Sequence, residues 1–290
     1  MTKNHNYYLD LAFQLAEKNL GKTRLNPSVG TVVVKNNTVI SSGVTSINGR
    51  PHSEFNALKY LKDCSGASLY TTLEPCAHYG VTPPCVNIII KKKIKNVFYA
   101  FEDPDVRTFK KAKKILNNKG ISCKLIKSKD YSNFYKGYYI NKKSEIPFIT
   151  AKIALSKDYL TINKKNKWIT NIFSRKTVHL LRYKYDCILS TSKSINYDNS
   201  LLNCRINGLD KYKTALFIVD LNLKLRKNLL LNSLLKKRKT YLITLKKNLK
   251  KIKNYKKIGY KNILINSLEN KKDFEKLNKK IYKMGYSRMF

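Results

Sequence analysis

Short β-branched and aromatic runs alternate with helix-patterned segments along this chain, and the alternation restarts once, past Pro147. That order commits it to an α/β class with mainly parallel sheets, because consecutive parallel strands need a crossover helix between them. Tyr8, Leu9, Ala12, Phe13, Leu15 and Ala16 recur at helical spacing and stop at Gly21. The β-rich runs 30–34 and 38–42 flank Lys35-Asn36-Asn37 and read as a hairpin. A helix is expected at 53–61, a strand at 68–73, a helix after Pro84, a strand at 96–100, a helix at 109–117 and a strand at 121–126. The lysine-rich stretch 127–146 reads as a connection containing one helix. Further strands are expected at 148–155, 186–191, 215–219, 240–244 and 262–265, with helices at 175–183 and 271–284. The length of 290 residues suits two ordinary domains, 1–146 and 147–290.

Within the first domain, Pro51-His52-Ser53-Glu54 is followed by Glu74-Pro75-Cys76 and then by Cys85. One imidazole and two thiolates supply three protein ligands to a tetrahedral zinc and leave the fourth position to water, as in a catalytic site. The metal lowers the pKa of that water to about 7. Glu54 stands two residues after His52 at a helix start, so it can face the site without ligating the metal and can pass the water proton to a leaving amine. This is the His-x-Glu and Pro-Cys logic of the zinc deaminases. A lone cysteine is more often core, and a lone histidine more often a satisfied hydrogen-bonding group; the ordered set, placed at a helix start and a strand end, is what separates this site from those cases. His78 is a candidate extra ligand or substrate contact, while Cys64, Cys123, Cys187 and Cys204 read as structural.

The chain carries 59 Lys+Arg against 18 Asp+Glu, a net charge of +41. Such a charge suggests nucleic acid, but 50 of those cations are lysines scattered along the whole chain, and only nine are arginines, the residue that clamps phosphates bidentately. Compositional drift toward Lys, Asn, Ile and Tyr accounts for the numbers, so no specific nucleic-acid partner is expected. No apolar run is long enough to span a membrane and no secretory h-region opens the sequence, which predicts a cytoplasmic protein without a membrane partner and with reduced cysteines.

Eight residues separate Cys76 from Cys85, where nucleoside and nucleic-acid deaminases use Cys-x-x-Cys. The run Thr72-Leu73-Glu74-Pro75-Cys76-Ala77-His78-Tyr79-Gly80-Val81-Thr82-Pro83-Pro84-Cys85, with Asn26-Pro27-Ser28-Val29-Gly30 before it, resembles the bifunctional riboflavin-biosynthesis deaminase/reductase family. The resemblance implies a cytidine-deaminase-like three-layer domain followed by a dihydrofolate-reductase-like α/β domain, zinc and NADPH as cofactors, a homo-oligomer, and a phosphoribosylaminopyrimidine as the small-molecule substrate. It implies zinc on His52, Cys76 and Cys85, Glu54 as proton shuttle, Asn26 on the pyrimidine and Asp103 on the ribose side. The family's cation after the loop glycine is replaced by Val81, and Arg107 or a neighbouring lysine is expected to compensate.

In the second half the resemblance implies Lys152, Leu155, Trp168, Ser194 and Asp198 near NADPH, and Asn166, Arg182, Leu202 and Arg205 near the substrate phosphate or ribose. Departures are heavier here. A glycine and a cation are lost at Tyr159-Leu160, Asn199-Ser200 replaces Asp-Pro, and the sequence is expected to stop just as the next strand begins. The reading is therefore a deaminase whose reductase half is incomplete and inactive. The alternatives are a fully bifunctional deaminase/reductase and a tRNA-editing deaminase in which the charge is functional.

Overall fold

The apolar periodicity at the start of the chain becomes α1 (His5–Lys18), which buries Leu9, Ala12, Phe13 and Ala16. The computed structural model describes residues 5–127, 131–161 and 168–290, and the chain divides into two compact units, Met1–Ser144 and Glu145–Phe290. In the first unit, β1 (Gly30–Lys35) and β2 (Thr38–Val44) pair as an antiparallel hairpin. Asn36 and Asn37 both take positive φ, 51° and 60°, the conformation of the tight turn that follows strand twist. Next come α2 (Ser53–Leu58), β3 (Ser68–Leu73), α3 (Cys85–Lys91), β4 (Asn96–Phe101), α4 (Lys111–Asn117), β5 (Ser122–Leu125) and α5 (Lys136–Ser144).

The strands line up in the order β2-β1-β3-β4-β5, with β1 antiparallel to both neighbours and β3, β4 and β5 parallel. Because successive strand residues point to opposite faces, Val33, Leu69, Val97 and Cys123 pack with Leu58, Ile89 and Leu116 from α2, α3 and α4. Val32, Val34, Tyr70 and Phe98 pack on the other face with Leu9 and Phe13 of α1 and with Tyr135. The result is a three-layer arrangement whose parallel strands end on the side from which α2 and α3 start. The helix expected at 109–117 begins only at Lys111, since the Lys110 and Ala112 amides are drawn to the Glu74 carboxylate and Lys110 turns left-handed with φ of 57°.

The second unit contains β6 (Phe148–Ile149), α6 (Ile172–Tyr183), β7 (Cys187–Thr191), α7 (Ser192–Asp198), β8 (Ala215–Val219), β9 (Thr240–Leu245), α8 (Ile252–Ile258), β10 (Lys261–Ile265), α9 (Lys271–Lys283) and β11 (Arg288–Met289). Its sheet runs β10-β9-β8-β7-β11-β6, with every pair parallel. Ile188, Leu216 and Leu242 meet Ile195 of α7 and Ile252 of α8 on one face, and Phe217, Tyr241 and Ile243 meet Leu277 and Ile281 of α9 on the other.

One expectation needs correction. The strand expected at 148–155 shrinks to two residues, because its partner β11 offers only two, in the register Arg288↔Phe148 and Met289↔Ile149. The strand expected to begin where the sequence stops is β11, and it lies inside the sheet between β6 and β7. It is anchored by the buried Asp186 carboxylate, which accepts the Ser287 amide and hydroxyl and the Arg288 amide; burial pushes this carboxyl up to about 7. No helix among the described residues is long and apolar enough to cross a membrane.

One contact tests the packing of α1 on the sheet. A Cβ at Gly30 would stand 1.9 Å from the Ala12 carbonyl oxygen and 3.0 Å from the Ala16 amide, all of it backbone. Gly30→Ala is expected to destabilise the first unit by about 3 kcal/mol, read as a lower urea midpoint with an unchanged slope.

Candidate active site

Three element ends converge to build the site. His52 is the residue before α2, Cys85 is the first residue of α3, and Cys76 follows three residues after β3. The His52 Nδ1 lies 3.5 Å from the Cys76 Sγ and 3.4 Å from the Cys85 Sγ, and the candidate ligand atoms all fall within 4.8 Å of one another. The Cys85 amide donates to the Cys76 sulfur at 3.1 Å. Hydrogen bonding from the Cys85 thiol, reinforced by His52, brings the Cys76 thiol down to about 4. Through its hydrogen bond with Cys76, His52 is held above its ordinary value. One imidazole and two thiols at this separation, one of them already favouring the thiolate, form a donor set that fits zinc.

Glu54 sits in the first turn of α2, only 4% exposed, and its carboxylate accepts the Ser53 hydroxyl at 3.0 Å. Burial raises its pKa, so a proton can reside there. Glu54, His52 and Cys76 line one cavity of ≈ 350 Å³ with Asn26, His78 and Asp103. Asn26 donates to the Gly49 carbonyl at 3.3 Å. The His78 Nδ1 is 3.0 Å from the Thr108 hydroxyl, and burial lowers its pKa. Asp103 accepts from the Tyr138 hydroxyl and the Asp105 amide. All of the first-domain candidates therefore border a single cavity, apart from Cys85, which closes the ligand cluster from α3.

The sequence reading missed the residues that organise the opposite wall. Glu74 is buried and accepts the amides of Asp103, Lys110 and Ala112 at 3.4, 3.1 and 3.2 Å, so it fixes the loop after β4. Asp105 accepts the Arg107 Nε and Nη2 at 2.9 and 2.6 Å and the Lys142 Nζ at 2.9 Å. Arg50 donates to the Thr82 hydroxyl at 2.7 Å. Only Arg107 had a sequence signal, as a substitute cation. Lys142 gave none of its own, being one lysine among 50, although Tyr138 and Lys142 share a helix face at i and i+4.

In the second unit the candidates separate into two groups. Arg182 Nη1 donates to the Asn203 carbonyl, the Leu202 carbonyl accepts from Arg238 Nη1, and the Arg205 amide lies 3.2 Å from His179 Nδ1. Arg182, Leu202 and Arg205 are thus brought together, and Arg182 Nε and Arg238 Nε and Nη2 are buried without partners. Among the cofactor-side candidates, Lys152 and Leu155 are exposed, Trp168 lies under the Arg175 guanidinium, Ser194 binds Thr191 in the first turn of α7, and Asp198 ends that helix. None of the five lines the open basic cavity beside α7, which is bordered by Ser192, Lys193, Asn196, Tyr197, Lys224 and Arg226. Asn166 lies outside the described residues.

The sequence model of the cytidine and deoxycytidylate deaminase zinc-binding region matches residues 2–101, and the first unit is a cytidine-deaminase-like domain. Riboflavin biosynthesis protein RibD of Actinobacillus pleuropneumoniae is 32% identical over 284 residues, 96% of this chain and 74% of its own length. The RibD of Buchnera aphidicola subsp. Baizongia pistaciae is 38% identical over 203 residues, 69% of this chain and 55% of its own length. The crystal structure of a diaminohydroxyphosphoribosylaminopyrimidine deaminase/5-amino-6-(5-phosphoribosylamino)uracil reductase from Thermotoga maritima superposes with a TM-score of 0.81, at 25% identity over 98% of this chain and 79% of that one. The chain belongs to the RibD family of riboflavin-biosynthesis proteins. Its match spans little more than half the length of relatives such as the Buchnera protein.

The cavity's ion cluster makes a pH-dependent contribution to folding. The Arg107 guanidinium beside Asp105 holds that carboxyl well below the usual range. A depressed carboxyl stabilises the fold fully above its unfolded value of about 4 and loses that contribution as pH falls toward the folded value. Asp105→Asn is therefore expected to lower the urea midpoint at pH 7, with the gap to wild type closing as pH drops below about 4.

Proposed function

We propose that this chain is the zinc-dependent deaminase of riboflavin synthesis. It hydrolyses 2,5-diamino-6-(5-phosphoribosylamino)pyrimidin-4(3H)-one to 5-amino-6-(5-phosphoribosylamino)uracil and ammonia. The observation that carries this reading is the meeting of His52, Cys76 and Cys85 beside a buried Glu54 in one cavity. Its volume of ≈ 350 Å³ suits a small molecule better than a folded nucleic acid. The reading takes the enzyme to be a cytoplasmic homo-oligomer.

His52, Cys76 and Cys85 would hold zinc, which supplies Lewis acidity that lets a water lose its proton near neutral pH. The Glu54 carboxylate takes that proton as the water oxygen bonds to the ring carbon, then delivers it to the departing amino group. The C–N bond breaks and ammonia leaves, while the second water proton passes from the added hydroxyl to the neighbouring ring nitrogen, so the ring keeps the oxygen as a carbonyl. A raised pKa suits Glu54 to this double role, because the protonated form must persist long enough to act as the acid. Asn26 orients the pyrimidine, Asp103 lies toward the ribose, and His78, tied to Thr108, contacts substrate from the loop. In the second unit, the gathered Arg182, Leu202 and Arg205 support retention of phosphoribosyl recognition, whereas the sequence departures at Tyr159-Leu160 and Asn199-Ser200 support an inactive reductase.

Glu54→Gln keeps shape and removes the titrating oxygen. It is expected to cut ammonia release at least about 100-fold while zinc per chain, measured by mass spectrometry, stays at the wild-type level. Equal rates would remove Glu54 from the chemistry. The bifunctional alternative is tested by following NADPH absorbance with the deaminated product; no turnover is expected, and steady oxidation would establish the reductase.

A further inference from the structure

The face of the first sheet that receives α2 is apolar at Val33, Leu69 and Val97, but beside them it carries hydroxyls. Thr31 and Thr71 stand directly opposite in the β1–β3 ladder, and their spacing of two from Val33 and Leu69 places them on the same face. Both are fully buried, as is Ser53, the first residue of α2. A buried hydroxyl is costly unless it is hydrogen-bonded, and these three bond to one another. Thr31 Oγ1 lies 2.8 Å from Ser53 Oγ and 3.2 Å from Thr71 Oγ1. The row ends on Glu54, whose Oε2 accepts from Ser53 Oγ at 3.0 Å. Side chains at i and i+1 of a helix do not face each other, so helix geometry alone does not produce this last bond.

Proton counting fixes the direction of the row. A hydroxyl has one proton to donate. Ser53 gives its proton to Glu54, so its contact with Thr31 is one in which it accepts. Thr31 then turns its own proton to Ser53 and away from Thr71, the alternative acceptor. The other neighbours of Glu54 belong to the metal cluster: His52 and Cys76 act on its charge, and the Cys85 thiol bonds to it. A cysteine that ligates zinc is a thiolate and has no proton left to give, which leaves the sheet-side hydroxyls to hold the carboxylate. A carboxylate free to rotate would swing a newly gained proton away from the amine between the two transfers; one held at Oε2 keeps it in place.

We propose that Ser53, set by Thr31, is a positioning residue that occupies Oε2 of Glu54 and reserves Oε1 for the proton travelling from water to the departing amine. This rests on the deaminase reading, since it refines how the proton shuttle of that reaction is held. Neither hydroxyl lines the cavity; both act through Glu54.

The test is steady-state ammonia release from the aminopyrimidine ribotide by zinc-loaded wild type, Ser53→Ala, Thr31→Val, Thr31→Ser, Glu54→Gln and the double variant Ser53→Ala/Glu54→Gln. Ser53→Ala is expected to lower kcat about tenfold, the effect of one hydrogen bond to a charged group, with KM within about twofold and zinc per chain at the wild-type level. In the Glu54→Gln background the same change should cost less than about twofold, because an amide carries no travelling proton. Should Ser53→Ala fail to fold, the two Thr31 variants carry the test: valine should lower kcat about threefold and serine, which keeps the hydroxyl, should restore it. A tenfold loss in both backgrounds, a loss carried by KM or by zinc content, an unchanged kcat in Ser53→Ala, or a Thr31→Ser as slow as Thr31→Val would overturn the positioning role and leave the deaminase reading standing. A zinc-loaded wild type that releases no ammonia would overturn both.

Discussion

The cavity of the first unit is held together by one buried carboxylate, Glu74. Glu74 leaves the end of β3 two residues before Cys76 and accepts three backbone amides, two from the loop between β4 and α4 and one from the first turn of α4. It therefore ties the metal-side wall to the wall that carries Asp103, Asp105 and Arg107. The carboxylate is desolvated, which raises its pKa, and the three amides oppose that shift; its burial is tolerated because those donors replace water. The left-handed Lys110 and the late start of α4 both follow from this bonding. A motif whose visible content is a metal ligand thus also contains the clamp that shapes the cavity around it.

The charge of +41 has a different meaning at the cavity and elsewhere. Eighteen acidic residues cannot pair one to one with 59 cations, so most of the cations have no carboxylate to meet. At the cavity the cations are individually held: Arg50 by Thr82, and Arg107 and Lys142 by Asp105. The buried arginines of the second unit, Arg182 and Arg238, are held by main-chain carbonyls and have no carboxylate among the bonds described above. Local constraint distinguishes these cations from the rest, and net charge does not report it.

What could be read in advance follows from how strongly chemistry limits residue choice. The convergence of His52, Glu54, Cys76 and Cys85 was legible because few residue types suit metal binding or proton transfer, and because their spacing matches a helix start, a strand end and another helix start. The hairpin at Asn36-Asn37 was legible because positive φ favours asparagine. Lys142 was not, since its role comes from Asp105, 37 residues away in sequence. The shortness of β6 was also hidden, because strand length is set by a partner some 140 residues downstream. Residues 148–155 have strand composition throughout, but pairing ends where β11 ends.

The position of β11 bears on how the second unit is made. In the order β7-β11-β6, the first strand of that sheet joins the rest, among the described residues, through β11. Ser287 and Arg288 dock onto the Asp186 carboxylate across more than 100 residues of sequence. Such a long-range closure is slow to form, so seating β6 lags behind the more local pairing of β7, β8, β9 and β10.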